Sequence, residues 1–272
     1  MNPGTIADIA FELFSALKKQ KMIQPLTDRY PDIDINDAYQ ISKKFLSHRE
    51  IEGEKVIGKK IGVTSKVVQE MLGVNQPDFG FLTNTMHVKN KSNFLISEYL
   101  IQPRAEAEIA FILKEDLHGP GITKEDVIAA TEKIIPCFEI VDSRIDDWKI
   151  KIQDTIADNA SCGIFVLGEG AVSPNKFAMD ELEVEVFKNN EFLSSGKGSA
   201  VQGHPAEAVA WLANTLGEYD IPLLTGEFIL SGSLVPLEPA VAGDKFTTGT
   251  QYGPIAAGVK SIICFLSFAI KS

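Results

Sequence analysis

The hydrophobic positions of this chain follow a helical period at first and a strand period afterwards. From Thr5 to Lys19 the apolar residues Ile6, Ile9, Ala10, Leu13 and Leu17 recur at three- and four-residue spacing, which predicts an amphipathic helix. Pro25 and Pro31 interrupt the pattern. A second helix is expected from an Asn36 cap, with Ala38, Ile41, Phe45 and Leu46 inward and an end before Gly53. Residues 1–55 therefore read as an N-terminal helical appendage, and residues 56–272 as a mixed β domain.

In that second part, Val56–Ser65 is a strand punctuated by Gly58 and Gly62, with Lys60 on the same face as both glycines. Ser65 is expected to cap a helix with Val68, Met71 and Leu72 inward. Asn75–Leu82, rich in turn formers, reads as a loop bearing Asp78. Strict alternation over Ile101–Leu113 predicts a strand. Thr123, answered by Asp126 in a capping box, opens a helix burying Val127, Ala130 and Ile134, and a buried strand over Ile134–Asp142 follows. Another apolar strand spans Ile164–Leu167.

Leu182–Phe187 alternates strictly and turns at Lys188–Glu191 into a surface hairpin whose Glu183 and Glu185 face solvent. A helix starts at Pro205, faces Val209, Leu212 and Leu216 inward and stops at Gly217. Glu227–Val235 is a strand running into a Ser231-Gly232-Ser233 turn whose amides and hydroxyls suit a carboxylate. From Ala242 onward the chain reads as turn and strand. Ser261–Ile270 is apolar but too short to cross a bilayer, and is expected to be a buried terminal strand.

Alternation places Glu106 and Glu108 on one face of their strand, continued by apolar Ala110 and Ile112. Two like charges beside a core are costly unless a cation lies between them. Glu139, flanked by apolar and β-branched residues, adds a third carboxylate. With no His or Cys cluster alongside, the set makes an oxygen site suited to Mg²⁺ or Mn²⁺. Spacing leaves a second reading open, in which these acids pair with Arg104, Arg144 or lysines. Indeed Glu183 and Glu185 repeat the spacing on a strand that faces water. Lys60, with room beside its ammonium, suits a small anionic ligand or else is a solvated surface charge, and Asp78 is either a turn cap or a general base on a loop.

Composition narrows the function. The chain has 272 residues, 44% hydrophobic and 23% charged, with a net charge of −11. No basic run is present to neutralise phosphates, so nucleic acid is not expected as a partner. Cys137, Cys162 and Cys264 are dispersed and form no CxxC pair, and the first residues carry no basic n-region. Both point to a reduced, cytoplasmic setting with no membrane span. GxGxxG, Walker, GxSxG and HExxH patterns are all missing, and the four histidines are isolated. What remains is metal-assisted chemistry on a small, oxygen-rich substrate.

Four segments carry a family resemblance: Gly58-Lys59-Lys60-Ile61-Gly62-Val63-Thr64-Ser65, Gln76-Pro77-Asp78-Phe79-Gly80-Phe81-Leu82, Glu106-Ala107-Glu108-Ile109-Ala110-Phe111 and Phe138-Glu139-Ile140-Val141-Asp142-Ser143-Arg144. They resemble the fumarylacetoacetate hydrolase superfamily. Gln153–Gly163 and Leu230–Pro236 are most similar to its 2-hydroxypentadienoate hydratases of aromatic meta-cleavage pathways. The likeness runs from about Leu17 to about Gly243 and departs after Asp244. It implies an α+β fold, a mixed β-roll or barrel-like sandwich with the N-terminal helices packed outside, and a metal held by Glu106, Glu108 and Glu139. It also implies a homo-oligomer that associates with a decarboxylase or aldolase. The implied reaction hydrates 2-hydroxypenta-2,4-dienoate to 4-hydroxy-2-oxopentanoate. For it Asp78 is the candidate acid/base, Lys60 the holder of carboxylate or enolate oxygen, and Ser161 and Ser233 candidate contacts to substrate or water. The alternatives are a 4-oxalocrotonate decarboxylase, a hydratase of longer dicarboxylic 2-oxo-enoates, and a non-catalytic subunit that binds such a decarboxylase.

Overall fold

The computed structural model describes residues 1–176, 178–250 and 264–268. Its first element, α1 (Pro3–Lys19), is capped by Asn2, whose side chain accepts from the Thr5 N–H, and it buries Ile6, Ile9, Ala10 and Leu13. After the short α2 (Leu26–Arg29) comes α3 (Ile35–Ile51), which packs on α1. Its cap is Asp34, in a capping box with Asp37, rather than Asn36. The cap lies two residues earlier because only Asp34 has its mate three residues on.

Strand β1 (Val56–Gly62) leads through α4 (Lys66–Leu72) to β2 (Asp78–Thr83). Two expectations change here. Ser65 does cap α4, but no residue of the helix is fully buried: Leu72 packs partly against the core, whereas Met71 is 75% exposed. The segment read as a loop carries β2, buried throughout, because antiparallel pairing with β1 places Gly62 opposite Asp78 and Lys60 opposite Gly80. Next come β3 (His87–Val88), β4 (Asn93–Phe94), α5 (Ile96–Tyr99) and the long β5 (Pro103–Leu113). The capping box of Thr123 and Asp126 opens α6 (Lys124–Ala130), but Ile134 belongs to the following strand β6 (Thr131–Asp142). Then follow α7 (Ile152–Ala157), β7 (Cys162–Leu167), the hairpin β8 (Glu183–Lys188) and β9 (Glu191–Lys197), and α8 (Pro205–Gly217). The chain continues through β10 (Phe228–Leu230), β11 (Glu238–Pro239), β12 (Lys245–Thr250) and β13 (Cys264–Phe268). The expected terminal strand is thus seen at 264–268; its remaining residues, and most of the segment after Asp244 where the resemblance departs, lie outside the described residues.

The strands form two sheets. An eight-stranded sheet runs β2-β1-β10-β5-β6-β7-β3 with β11 alongside β5, and a five-stranded sheet runs β4-β13-β12-β8-β9. The large sheet curls into a half-barrel. Its outer face, including Ile61, Phe79, Ala107, Ile109, Phe138, Ile140 and Ile229, shares one core with α1, α3 and α8. Its inner face holds a separate apolar cluster of Leu82, Met86, Ala110, Cys137, Cys162, Phe165 and Leu230. Burial on both faces explains why β5 is enclosed along Ala105–Leu113.

Curling brings the edge strand β2 near β7. One side chain ties the gap: Asn159 Oδ1 accepts from the Phe81 N–H at 2.8 Å, and Asn159 Nδ2 donates to the Phe81 carbonyl at 3.0 Å. The amide thus takes the place of a neighbouring strand. Asn159→Ala leaves two buried backbone groups without partners, at roughly 1–3 kcal/mol each. The expected outcome is a urea unfolding free energy lowered by about 2–6 kcal/mol; a change below about 0.5 kcal/mol would show that the side chain does not hold the edge.

Candidate metal centre

Sheet register assembles the centre. Glu106 on β5 lies directly opposite Glu139 on β6, and Glu108 lies opposite Cys137, so alternation puts all three carboxylates on the inner face. One carboxylate oxygen from each lies within 4.8 Å of the others. Lys60 stands on β1, three strands from β6, which is about 14 Å away in a flat sheet. Its Nζ is nevertheless 3.2 Å from Glu139 Oε1, which only the curl of the sheet permits.

Of the salt-bridge partners considered from sequence, a lysine is the one present. Arg144 is committed to Asp158, and Arg104 lies over the Trp148 ring at 4.7 Å. One ammonium faces three carboxylates and Asp78, so negative charge is in excess. Lys60 and Asp78 are 2% and 1% exposed, Glu106, Glu108 and Glu139 9%, 2% and 0%. Burial, then Glu139, pushes the Glu106 carboxyl up to about 8 despite Lys60. Glu108 is raised well above its ordinary range by burial and by Glu139 and Glu106. Glu139 is raised by burial, with Lys60 opposing. For Lys60 burial disfavours the charge, but Glu139 and Asp78 outweigh it and hold the ammonium above its ordinary value.

Hydrogen bonding leaves the acids incomplete. Glu108 Oε2 accepts from the Gly232 N–H at 2.8 Å, so the Ser231-Gly232-Ser233 turn does hold a carboxylate, one belonging to the chain itself. Gly232 has φ +98°, and a Cβ there would meet Thr64 at 2.5 Å, so glycine is required. Glu108 Oε1 is buried without a hydrogen-bond partner among the described residues, and the two buried Glu139 oxygens have only the Lys60 ammonium, 3.2 Å away, and the weakly donating Cys162 thiol acting on them, neither in full hydrogen-bond geometry. Orphaned, mutually repelling carboxylate oxygens are what an oxygen-preferring divalent cation completes, so the residues fit such an ion.

The other predicted residues divide. Asp78 lies beside Lys60: a Cβ on Gly62 would sit 2.3 Å from Asp78 Oδ1 and 3.2 Å from Lys60 Nζ, so the space expected next to the ammonium is taken up by Asp78. Ser161 is buried, with Oγ 3.2 Å from Thr155 Oγ1. Ser233 donates instead to the Val235 carbonyl, within its own turn. Sequence reading missed Thr155, which donates to Asp78 Oδ2 at 3.4 Å; the apolar pattern of its helix gives no sign of it. A surface cleft lined by Gln20, Met22, Ile101 and Asp146 contains none of the five charged groups.

Comparison with known proteins adds three findings. The family described as fumarylacetoacetate (FAA) hydrolase C-terminal matches residues 57–260. A 2-hydroxyhexa-2,4-dienoate hydratase of Comamonas testosteroni is 60% identical over 86% of this chain and 89% of its own, and a 2-hydroxypent-2,4-dienoate hydratase of Pseudomonas putida is 58% identical over 81% and 100%. The solved structure of 4-oxalocrotonate decarboxylase from Pseudomonas putida G7, complexed with magnesium and adipate, superposes with a TM-score of 0.92 at 33% identity over 98% of each chain. No helix among the described residues is long and apolar enough to cross a membrane.

The raised carboxyls make stability depend on metal and pH together. Glu106 titrates at about 8 when folded against 4.5 ordinarily, so its protonated form contributes stability that is complete below about pH 4.5 and is lost as pH rises through 8. A bound cation takes the place of those protons. Metal-free protein is therefore expected to lose melting temperature between pH 6 and pH 9, while the increment given by Mg²⁺ grows over the same range. An increment independent of pH in thermal melts with and without EDTA would contradict this.

Proposed function

The chain belongs to the fumarylacetoacetate hydrolase family, and from that premise we propose that it is a hydro-lyase adding water to 2-hydroxypenta-2,4-dienoate or its 5-methyl homologue. The product from the first is 4-hydroxy-2-oxopentanoate, formed through the 2-oxo-3-enoate tautomer in aromatic meta-cleavage catabolism. The observation that carries the reading is near-full-length identity of about 60% to dienoate hydratases in a chain whose Lys60, Asp78 and three glutamates converge inside one half-barrel.

Glu106, Glu108 and Glu139 would hold Mg²⁺ or Mn²⁺, which supplies Lewis acidity toward the substrate carboxylate and 2-oxygen. The remaining tasks fall to side chains. Lys60, held charged by Glu139 and Asp78, offers a fixed positive group to the carboxylate or to enolate charge building on the 2-oxygen. Asp78 accepts the 2-hydroxyl proton and returns a proton at C5; it then takes a proton from water as oxygen bonds to C4, and delivers one at C3. Burial pushes its carboxyl up while Lys60 pulls it down, and that balance suits a group that must both accept and donate. Leu82, Leu230 and Phe165 form a buried apolar cluster on the same inner face.

The 4-oxalocrotonate decarboxylase reading rests on a structure at 33% identity and yields to the hydratases near 60%. A silent subunit would have no need of the complete set of five charged groups. The family resemblance further supports a cytoplasmic homo-oligomer that contacts the decarboxylase before it or the aldolase after it.

Freshly generated 2-hydroxypenta-2,4-dienoate is expected to lose its ultraviolet band with the purified protein, to stop losing it under EDTA, and to resume with Mg²⁺ or Mn²⁺. Release of CO₂ from 4-oxalocrotonate without dienoate hydration would shift the assignment to decarboxylase. Asp78→Asn should lower kcat by about 10²–10⁴-fold; a kcat within threefold of the parent removes Asp78 from the chemistry. Glu106→Ala or Glu108→Ala should abolish both turnover and the Mg²⁺-induced rise in melting temperature, and normal turnover in either would sink the metal assignment.

A further inference from the structure

Asp78 has one side-chain hydrogen bond among the described residues, beside the backbone of Gly62. Thr155 Oγ1 donates to Asp78 Oδ2 at 3.4 Å, and Thr155 Oγ1 lies 3.2 Å from Ser161 Oγ. Asp78 Oδ1, by contrast, has no hydrogen-bond partner among the described residues. Thr155 and Ser161 are buried with Asp78, 5% and 3% exposed. An ionised carboxylate only accepts, so the Thr155 hydrogen points at Asp78, and the Ser161 hydrogen in turn points at Thr155. The order of donors is fixed by the charge at its end.

The fold maintains this row at some cost. A threonine inside a helix commonly turns its hydroxyl back to a carbonyl of the preceding turn, whereas Thr155 on α7 directs its hydroxyl across to β2. Ser161 ends a run, Asn159-Ala160-Ser161, with φ of +55°, +50° and +50°. Left-handed backbone costs a non-glycine residue roughly 1–2 kcal/mol, so three in succession need a clamp. Arg144 provides it: its side chain donates to Asp158 Oδ1 at 2.5 Å, to the Asp158 carbonyl at 2.5 Å and to the Cys162 carbonyl at 2.9 Å, gripping both ends of the run. The clamp is 1% exposed.

We infer that Thr155, backed by Ser161, is the positioning residue of Asp78: by tying down Oδ2 it fixes the orientation of the carboxylate that carries the proton transfers. The inference rests on the acid/base reading of Asp78. Ser161 then acts through Thr155 and does not itself contact substrate.

The test compares Thr155→Val, Thr155→Ser, Ser161→Ala and Asp78→Asn as Mg²⁺-loaded proteins on 2-hydroxypenta-2,4-dienoate. Thr155→Val is expected to lower kcat by roughly 10–100-fold, the loss of one hydrogen bond to a charged group, with KM within about twofold and an unchanged Mg²⁺-induced melting shift. Thr155→Ser should restore kcat to within about threefold, and Ser161→Ala should lower it severalfold at constant KM. Thr155→Val with the parent's kcat, beside an inactive Asp78→Asn, overturns this inference alone. Activity in Asp78→Asn overturns the acid/base reading and the inference with it. A kcat loss that Thr155→Ser fails to restore, accompanied by a lower melting point, assigns Thr155 a purely structural role. Should Thr155→Val fail to fold, Ser161→Ala decides, and an unchanged kcat there overturns the proposal.

Discussion

Burying three carboxylates against one another is the constraint on which the rest of this molecule depends. Glu106, Glu108 and Glu139 sit on the inner face of a sheet whose outer face is the main hydrophobic core, so they cannot turn outward without a register slip that would expose that core. Their repulsion is met in part by Lys60, in part by the Gly232 amide, and otherwise by protons or a cation. The curl of the large sheet serves the same end. It carries Lys60 across three strands to Glu139, and it requires the edge at β2 to be tied off by Asn159.

The segment Asp158–Cys162 links that closure to the chemistry. Asn159 holds Phe81 on β2, Ser161 backs Thr155 behind Asp78, and Cys162 opens β7 and contributes to the apolar floor. A short segment with so many duties is driven into unfavourable backbone conformations, and buried Arg144 holds it there through Asp158 and the carbonyl of Cys162. Strain near the candidate site and rigidity around it are therefore one arrangement.

Much of this was legible in the sequence because it rests on local period. Alternation along Ile101–Leu113 places Glu106 and Glu108 on one face, and helical spacing marks α1, α3 and α8. The errors arose where tertiary structure overrides local chemistry. Pro77, Asp78 and Gly80 are turn formers, yet pairing with β1 makes Asp78–Thr83 a buried strand. Met71 has helical spacing to Val68 and Leu72, yet only Leu72 leans on the core while Met71 faces outward, and no residue of α4 is fully buried. Thr155 could not have been found at all: its partner Asp78 is 77 residues away in sequence, and only the approach of α7 to β2 unites them. The metal reading stayed open for the same reason, since Glu183 and Glu185 share the spacing of Glu106 and Glu108 and differ in burial and in what lies across from them.

The most direct measurement is the anomalous scattering of Mn²⁺ in crystals of the protein grown with a non-reactive 2-oxo-carboxylate. A single strong peak is expected among Glu106, Glu108 and Glu139, with the analogue bound beside it and within reach of Lys60 and Asp78. Manganese elsewhere, with those three carboxylates still facing one another and Lys60, would contradict the assignment of the buried acids as the centre of a metal-dependent hydratase.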